Sequence, residues 1–356
     1  SFVVPIPVTT TRYVRGIEVR PSGGAAVHHA SVKTDSTASS RELDAEEPGP
    51  GYDGGGGRTA RFPDGHFFAW TPGQVPYMLP EGAAWRLDPS TDLVLELHMT
   101  PTGKTEAVRT EVGFFFTDVP PSRVPFMLRL GSQTIDIPAG KNDYVVSDSF
   151  ALPVPVQVTG IQPHAHFLAR QMKALARLPD GSLRWLLYIR DWDLRWQEVY
   201  RYREPVELPA GTTIEMQFTY DNSAANLRNP HRPPARVTFG QDSASEMGNL
   251  WVQTFPRAAA ALARLQTTFT PKMIRSDIEG YEKAVAIRPD DARLRSELGF
   301  LYFGEGRLAD ARDRLTEALR LTPHSASAHY ALATVLIAER RLAEAEQLLH
   351  EAIRLN

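Results

Sequence analysis

One interval constrains the C-terminal part of this chain more than any other feature. Ala284, Ala318 and Ala352 are each 34 residues apart, and the same interval separates Pro289 from Pro323, Leu298 from Leu332, Ala311 from Ala345 and Leu315 from Leu349. Two unrelated amphipathic hairpins would not hold six such pairs in register. The segment therefore reads as a stack of like helical pairs, each too small to bury its apolar face alone. The Ala positions let paired helices approach closely, and the Pro ends the second helix of each unit. After about residue 255 the chain is accordingly rich in Ala, Leu, Arg and Glu.

The period, together with Leu298-Gly299, Tyr302, Ala311, Leu315, Ala318 and Pro323, resembles the tetratricopeptide repeat. The resemblance implies about two and a half repeats over 273–356, reached through a linker at 256–272. The segment 274–288 reads as the second helix of a degenerate first repeat, and the last repeat, 326–356, stops where its second helix ends. Stacked repeats need a polar cap at each end. The last expected helix, 342–355, instead carries Leu342, Ala345, Leu348, Leu349, Ala352 and Ile353. That end is expected to be a surface for a protein partner or for self-assembly.

Before residue 255 the texture is different. Short apolar runs such as Leu93–Leu97, Glu111–Phe116, Val154–Val158, Trp185–Ile189 and Thr213–Tyr220 alternate with turn signals such as Pro179-Asp180-Gly181. Many short strands without intervening helices predict antiparallel sandwiches. About 250 residues exceed one sandwich, and the Pro-rich stretch Val119–Pro125 is the natural break. The expected fold is multidomain: two antiparallel β-sandwiches of jelly-roll type, 1–125 and 126–255, then the all-α repeat segment. The Gly-rich stretch Gly49–Gly57 is expected to be a mobile loop.

Composition excludes several functions. A net charge of −3 offers no nucleic-acid footprint, and no apolar run is long enough to span a membrane. With no Cys, there are no disulfides, thiolate zinc sites, iron–sulfur clusters or c-type haem attachments. Any metal must be held by His, Met, Asp or Glu. The start at Ser1, without a Met or a leader pattern, suggests a processed or trimmed product. The expected compartment is periplasmic or extracellular.

Ten histidines bear on metal chemistry: 28, 29, 66, 98, 164, 166, 231, 324, 329 and 350. His164-Ala165-His166 lies in a β-type run, where residues i and i+2 share a face, so both imidazoles can reach one ion. His28-His29 is different, because a regular strand sends adjacent rings to opposite faces. Both can serve one ion only at a strand end or a bulge; otherwise one is buried and one exposed. His98 closes the run 93–97, and by itself reads as an ordinary strand-end histidine. Met247 reads by composition as a core residue, but a thioether beside two imidazoles selects copper over zinc. His66 and His231 are expected in loops, with His231 the nearer to any cleft, and His324, His329 and His350 on repeat helix surfaces.

Taken in order, His28-His29, His98, His164-x-His166 and Met247 in Glu246-Met247-Gly248-Asn249-Leu250 resemble the copper type II, ascorbate-dependent monooxygenases. These are the peptidylglycine α-hydroxylating and dopamine β-monooxygenase family. Leu95-Glu96-Leu97-His98-Met99-Thr100 resembles that family's strand-His segment. The resemblance covers about residues 1–255 and is strongest to bacterial proteins that join this module to tetratricopeptide repeats. It implies two copper ions per chain. His28, His29 and His98 would form the electron-transfer site, and His164, His166 and Met247 the oxygen-binding, catalytic site. The implied reaction is hydroxylation of a C–H bond with O2, with ascorbate, a cytochrome or another small molecule as electron donor.

Two departures narrow the substrate. Where the peptide-processing enzymes hold a carboxylate with an Arg two residues before His-x-His and a Tyr after the Met, this chain has Gln162 and Trp251, while Asn249 is retained. Without the Arg, a bidentate grip on a carboxylate is lost. Gln162, Asn249 and Trp251 therefore imply a neutral or aromatic small-molecule or peptide-like substrate, unless they are structural. Two rival readings remain: an inactive copper-binding or assembly protein, and a zinc or iron enzyme using only His164 and His166.

Overall fold

The computed structural model describes every residue except 23–25, 53–58, 64, 68, 241 and 356. Residues 53–57 of the expected Gly-rich loop therefore lie outside the described residues.

The first β unit contains β1 (Phe2–Pro5), β2 (Arg12–Pro21), β3 (Val27–Asp35), β4 (Ala69–Trp70), β5 (Trp85–Leu87), β6 (Asp92–Met99) and β7 (Thr110–Thr117), with a short helix α1 (Ser39–Glu46). Its sheets, ordered β1-β6-β3-β4 and β5-β2-β7, share one core in which Val14, Val19, Val32, Leu87, Leu93 and Leu95 are buried.

The second unit contains β8 (Phe126–Gly131), β9 (Asp136–Ile137), β10 (Tyr144–Ala151), β11 (Val156–Ala165), β12 (Ala169–Arg177), β13 (Leu183–Ile189), β14 (Tyr200–Leu208), β15 (Thr213–Tyr220), β16 (Val237–Thr238) and β17 (Gly248–Pro256). Its main sheets run β10-β15-β12-β13 and β14-β11-β17-β8, and β16 and β9 form a small third pair. Among the described residues all pairings between these strands are antiparallel, and no strand before residue 118 pairs with one after 125. In β15 the period-two pattern is plain, with Ile214, Met216, Phe218 and Tyr220 buried and the alternate residues outward. The central strand β17 is buried almost throughout, because the second sheet backs one face and the first unit, with the helix described next, covers the other. Phe255 at its end enters the core of the first unit, and Gln253 Nε2 donates to Gly65 O at 2.8 Å.

Five helices follow: α2 (Ala259–Ile287), α3 (Ala292–Gly304), α4 (Leu308–Leu321), α5 (Ala326–Ala338) and α6 (Leu342–Leu355). Successive helices pack around Leu298, Tyr302, Ala311, Leu315, Leu332 and Ala345. Gly299 faces Leu315 so closely that an added Cβ would lie 2.7 Å from its Cγ. The expected linker at 256–272 is corrected: from Ala259 onward it is the first half of α2, a single 29-residue helix. Thr267, Thr268 and Pro271 disfavour helix locally. Burial of Leu265 and Phe269 in the second unit's core overrides that preference. The other half of α2 places Ile278 and Val285 in the core of the repeats. Among the described residues no helix is long and apolar enough to cross a membrane.

Candidate metal centre

The first histidine cluster is made by a bulge. β3 and β6 pair Val27 with Met99 but His29 with His98, so His28 is the extra residue on its strand. The bulge breaks the alternation that would have sent His28 and His29 to opposite faces. Their Nδ1 atoms lie 2.8 Å apart, and the His29 and His98 rings stack at 4.0 Å between centroids. His98 Nε2 also meets Glu96 Oε1 at 3.2 Å. Burial, followed by the neighbouring His98 and His28, pushes His29 down to about 3. Against burial, the bonds from His98 and Lys33 hold Glu96 at about 2.

The second cluster is built across β11 and β17. Gln162 pairs with Trp251 and His164 with Asn249, so these four share a face with Met247, one step beyond the end of β17. His166 follows the end of β11, its ring 5.3 Å from that of His164 and nearly perpendicular at 87°. The Nδ1 of His166 donates to the Ser245 carbonyl at 3.0 Å, and that of His164 lies 2.5 Å from Gln197 Oε1. Both rings thereby present Nε2 as the available lone pair. Burial and the neighbouring His166 push His164 down to about 4, so at neutral pH no proton has to be displaced by a cation.

Three residues that the motifs did not single out hold this cluster. Glu246 is fully buried, and its carboxylate accepts from the backbone N–H groups of His166, Met247 and Leu168. Burial pushes its pKa up to about 8, opposed by those three donors. Gln197 and Trp192 sit in the connection between β13 and β14, and Trp192 Nε1 donates to His166 O at 3.2 Å. Glu246 adjoins the Met and was legible as context. Nothing about residues 192–197 distinguishes them in sequence.

A cleft of about 510 Å³ lies between the two β units and touches both clusters, through His29 and Glu96 on one side and His164 and Met247 on the other. The histidines also feel one another's charge across it, since His98 lowers His164 and His166, and His164 lowers His29. Gln162, Asn249 and Trp251 line it, with Phe62 edge-on to Trp251 at 6.4 Å. Among the described residues of these walls, Lys33 is paired with Glu96 at 3.1 Å.

The remaining histidines separate. His66 lies outside the strands and helices as expected, but it is buried: 3% exposed, it lines the cleft and is driven down to about 3 by burial and by Arg201. His231 Nε2 donates to Ala244 O at 3.0 Å, bracing the segment that leads to Met247, and does not line the cleft. His350 lies on a helix surface as expected, whereas His324 is exposed in the turn between α4 and α5 and His329 is buried with Nδ1 against Ser325 O at 3.0 Å.

The donor set suits copper in kind: imidazoles and a thioether, with no thiolate. The second cluster has its Nε2 atoms ready. In the first, His28 and His29 bond to each other and would have to turn to receive an ion. Among the described residues no three His, Asp or Glu side chains are already arranged to hold a metal ion.

The tetratricopeptide repeat family matches residues 302–356. No curated protein matches the chain. Among solved structures it is similar to an O-GlcNAc transferase mutant of Thermobaculum terrenum, 29% identical over 23% of this chain and 16% of that one, with a TM-score of 0.23. It is also similar to a MamA RS-1 ArsTM double mutant, 23% identical over 27% of this chain and 55% of that one, and to MamA 41-end from Desulfovibrio magneticus RS-1, 22% identical over 28% and 56%, both with TM-scores of 0.23. The chain thus spans between 16% and 56% of those proteins. Residues 302–356 match a tetratricopeptide repeat, within the helical segment that follows an antiparallel β part.

Proposed function

We propose that residues 1–255 form a copper-dependent monooxygenase that hydroxylates a C–H bond of a neutral small-molecule or peptide-like substrate. The observation that carries this reading is the presence of two histidine clusters on one cleft: His28, His29 and His98 from the first unit, and His164 and His166 with Met247 from the second. Two copper ions per chain, reloaded by ascorbate or another one-electron donor, would supply the redox chemistry that activates O2. His164 and His166 would hold the catalytic ion through Nε2, with the Met247 thioether favouring its reduced state. His28, His29 and His98 would hold the electron-transfer ion. Gln162 and Asn249 offer amides to a polar group of the substrate, while Trp251 and Phe62 exclude water around its apolar body. Among the described residues lining the cleft the cation is Lys33, and it is paired with Glu96, so peptides ending in Gly should be poor substrates. The proposed compartment is periplasmic or extracellular.

The test is copper stoichiometry with oxygen uptake. The full chain should take up two copper ions and consume O2 only with a reductant present. Met247→Ile should weaken Cu(I) retention at one site and leave the other loaded. His98→Ala should stop turnover without emptying His164 and His166. A chain that takes up no copper, or a Met247→Ile variant unchanged in both copper content and activity, would remove the reading. A second reading, an inactive copper-binding or assembly protein, is favoured by the matched repeats and by Gln162 at the carboxylate-binding position. Copper uptake without oxygen consumption across neutral aromatic amides would select it.

A further inference from the structure

α2 passes the cleft before it reaches the repeats. Gln266, Phe269 and Met273 lie along one face of it, because residues three, four and seven apart superpose at about 3.6 residues per turn. Phe269 enters the second unit's core, edge-on to Phe126 at 5.8 Å and to Phe150 at 4.9 Å between ring centroids. That anchor sets the rotation of the helix. Gln266 and Met273, about one turn to either side, are left lining the same cavity as His164 and Trp251. Polar contacts hold the helix in place: Lys272 Nζ bonds both Asp148 oxygens at 2.8 and 2.6 Å, and Asp277 accepts from Arg129 and Gln133. Arg129 in turn lies over the Trp251 ring, 5.9 Å from its centroid. The wall that α2 presents is uncharged, a primary amide and a thioether, because Lys272 between them is committed to Asp148.

We propose that α2 is a wall of the substrate cleft, with Gln266 and Met273 as specificity-determining residues that contact an uncharged, apolar part of the substrate away from His164. This rests on the reading of the cleft as the substrate site. It gives the helical segment a role in selection besides its role in protein interaction, since one continuous helix belongs to both the cleft and the repeat core.

The experiment uses the full chain and a neutral apolar dye, N-phenyl-1-naphthylamine, whose fluorescence rises on entering an apolar cleft. Gln266→Trp fills the cavity from an exposed position that tolerates a larger side chain, and Met273→Ala enlarges it. Arg275→Ala is the control, exposed and about 180° round the helix from Gln266. Gln266→Trp should weaken dye binding by about 10-fold and Met273→Ala by about 3-fold, with Arg275→Ala unchanged. Copper uptake should be equal in all four proteins. Dye affinities that are the same in the parent, Gln266→Trp and Met273→Ala overturn the proposal, as does a parent that binds no dye. Absence of copper uptake with the dye responses intact would instead remove the monooxygenase reading and leave α2 as the wall of a binding cleft.

Discussion

Glu246 ties the two halves of the second histidine cluster together, since one carboxylate serves the backbone of His166 and Leu168 on one side and of Met247 on the other. Above about pH 8, where Glu246 is ionised, Glu246→Gln turns one oxygen into an NH2 group facing N–H donors, and at least one buried donor loses its acceptor. The cost is about 1–3 kcal/mol. Loosening Met247 against His166 should also lower copper affinity at that cluster by roughly 10–100-fold, with the His28, His29 and His98 cluster unaffected. Thermal unfolding and titration against a Cu(I) chelator measure the two effects. An unchanged midpoint with unchanged affinity would show that the carboxylate is not what positions Met247. At this scale the motifs identified the histidines and the Met but not Gln197 or Trp192, because a hydrogen bond from a distant connection leaves no spacing to read.

At the scale of elements, α2 carries the strongest prediction. Gly280 lies where the helix meets the connection between β8 and β9, and an added Cβ would stand 2.4 Å from Gln133 Cβ. Alanine is ordinarily the better helix former, by about 0.5–1 kcal/mol. Here the opposing atom sits next to the backbone and cannot swing aside, so overpacking of about 1–3 kcal/mol outweighs that gain. Gly280→Ala should therefore lower the unfolding midpoint and loosen α2 from Asp148, Arg129 and Gln133. Amide exchange along 259–287, compared with the parent, reads that loosening directly. A midpoint that rises would mean that α2 does not dock as described.

For the whole molecule, the exposed apolar surface of the last two helices bears on assembly. Leu342 is 60% and Ile353 74% exposed, with Tyr330 at 61% nearby in the chain's last repeat, while Ala345 and Ala352 are buried. We predict that this surface mediates self-association, the partner kind expected from the apolar residues of the last helix. Covering each large side chain stabilises an interface by about 1.5–3 kcal/mol, so Leu342→Lys with Ile353→Lys should weaken association by about 100-fold or more. Light scattering on the two full-length proteins decides it. Identical monomers at all concentrations would remove the idea, whereas mass lost on substitution would support it.

Much of this protein is legible without coordinates. The 34-residue register is a property of the chain itself, because each helical pair repeats the same local contacts, and residues 302–356 match the repeat family accordingly. The runs that become β6, β7, β11, β13 and β15 are equally local, since alternation or apolar density marks one buried face. The order of His28, His29, His98, His164, His166 and Met247 was readable as well, and their candidacy as ligands came from it. What only the tertiary structure decided is where chain segments far apart in sequence come together. The bulge at His28 exists because β3 must keep register with β6 on both sides of it. His66 is buried where Gln253 of the second β unit bonds the neighbouring Gly65. The stretch 259–272 is helix because Leu265 and Phe269 find a core supplied by other strands, and burial of that size outweighs the local preferences of Thr and Pro.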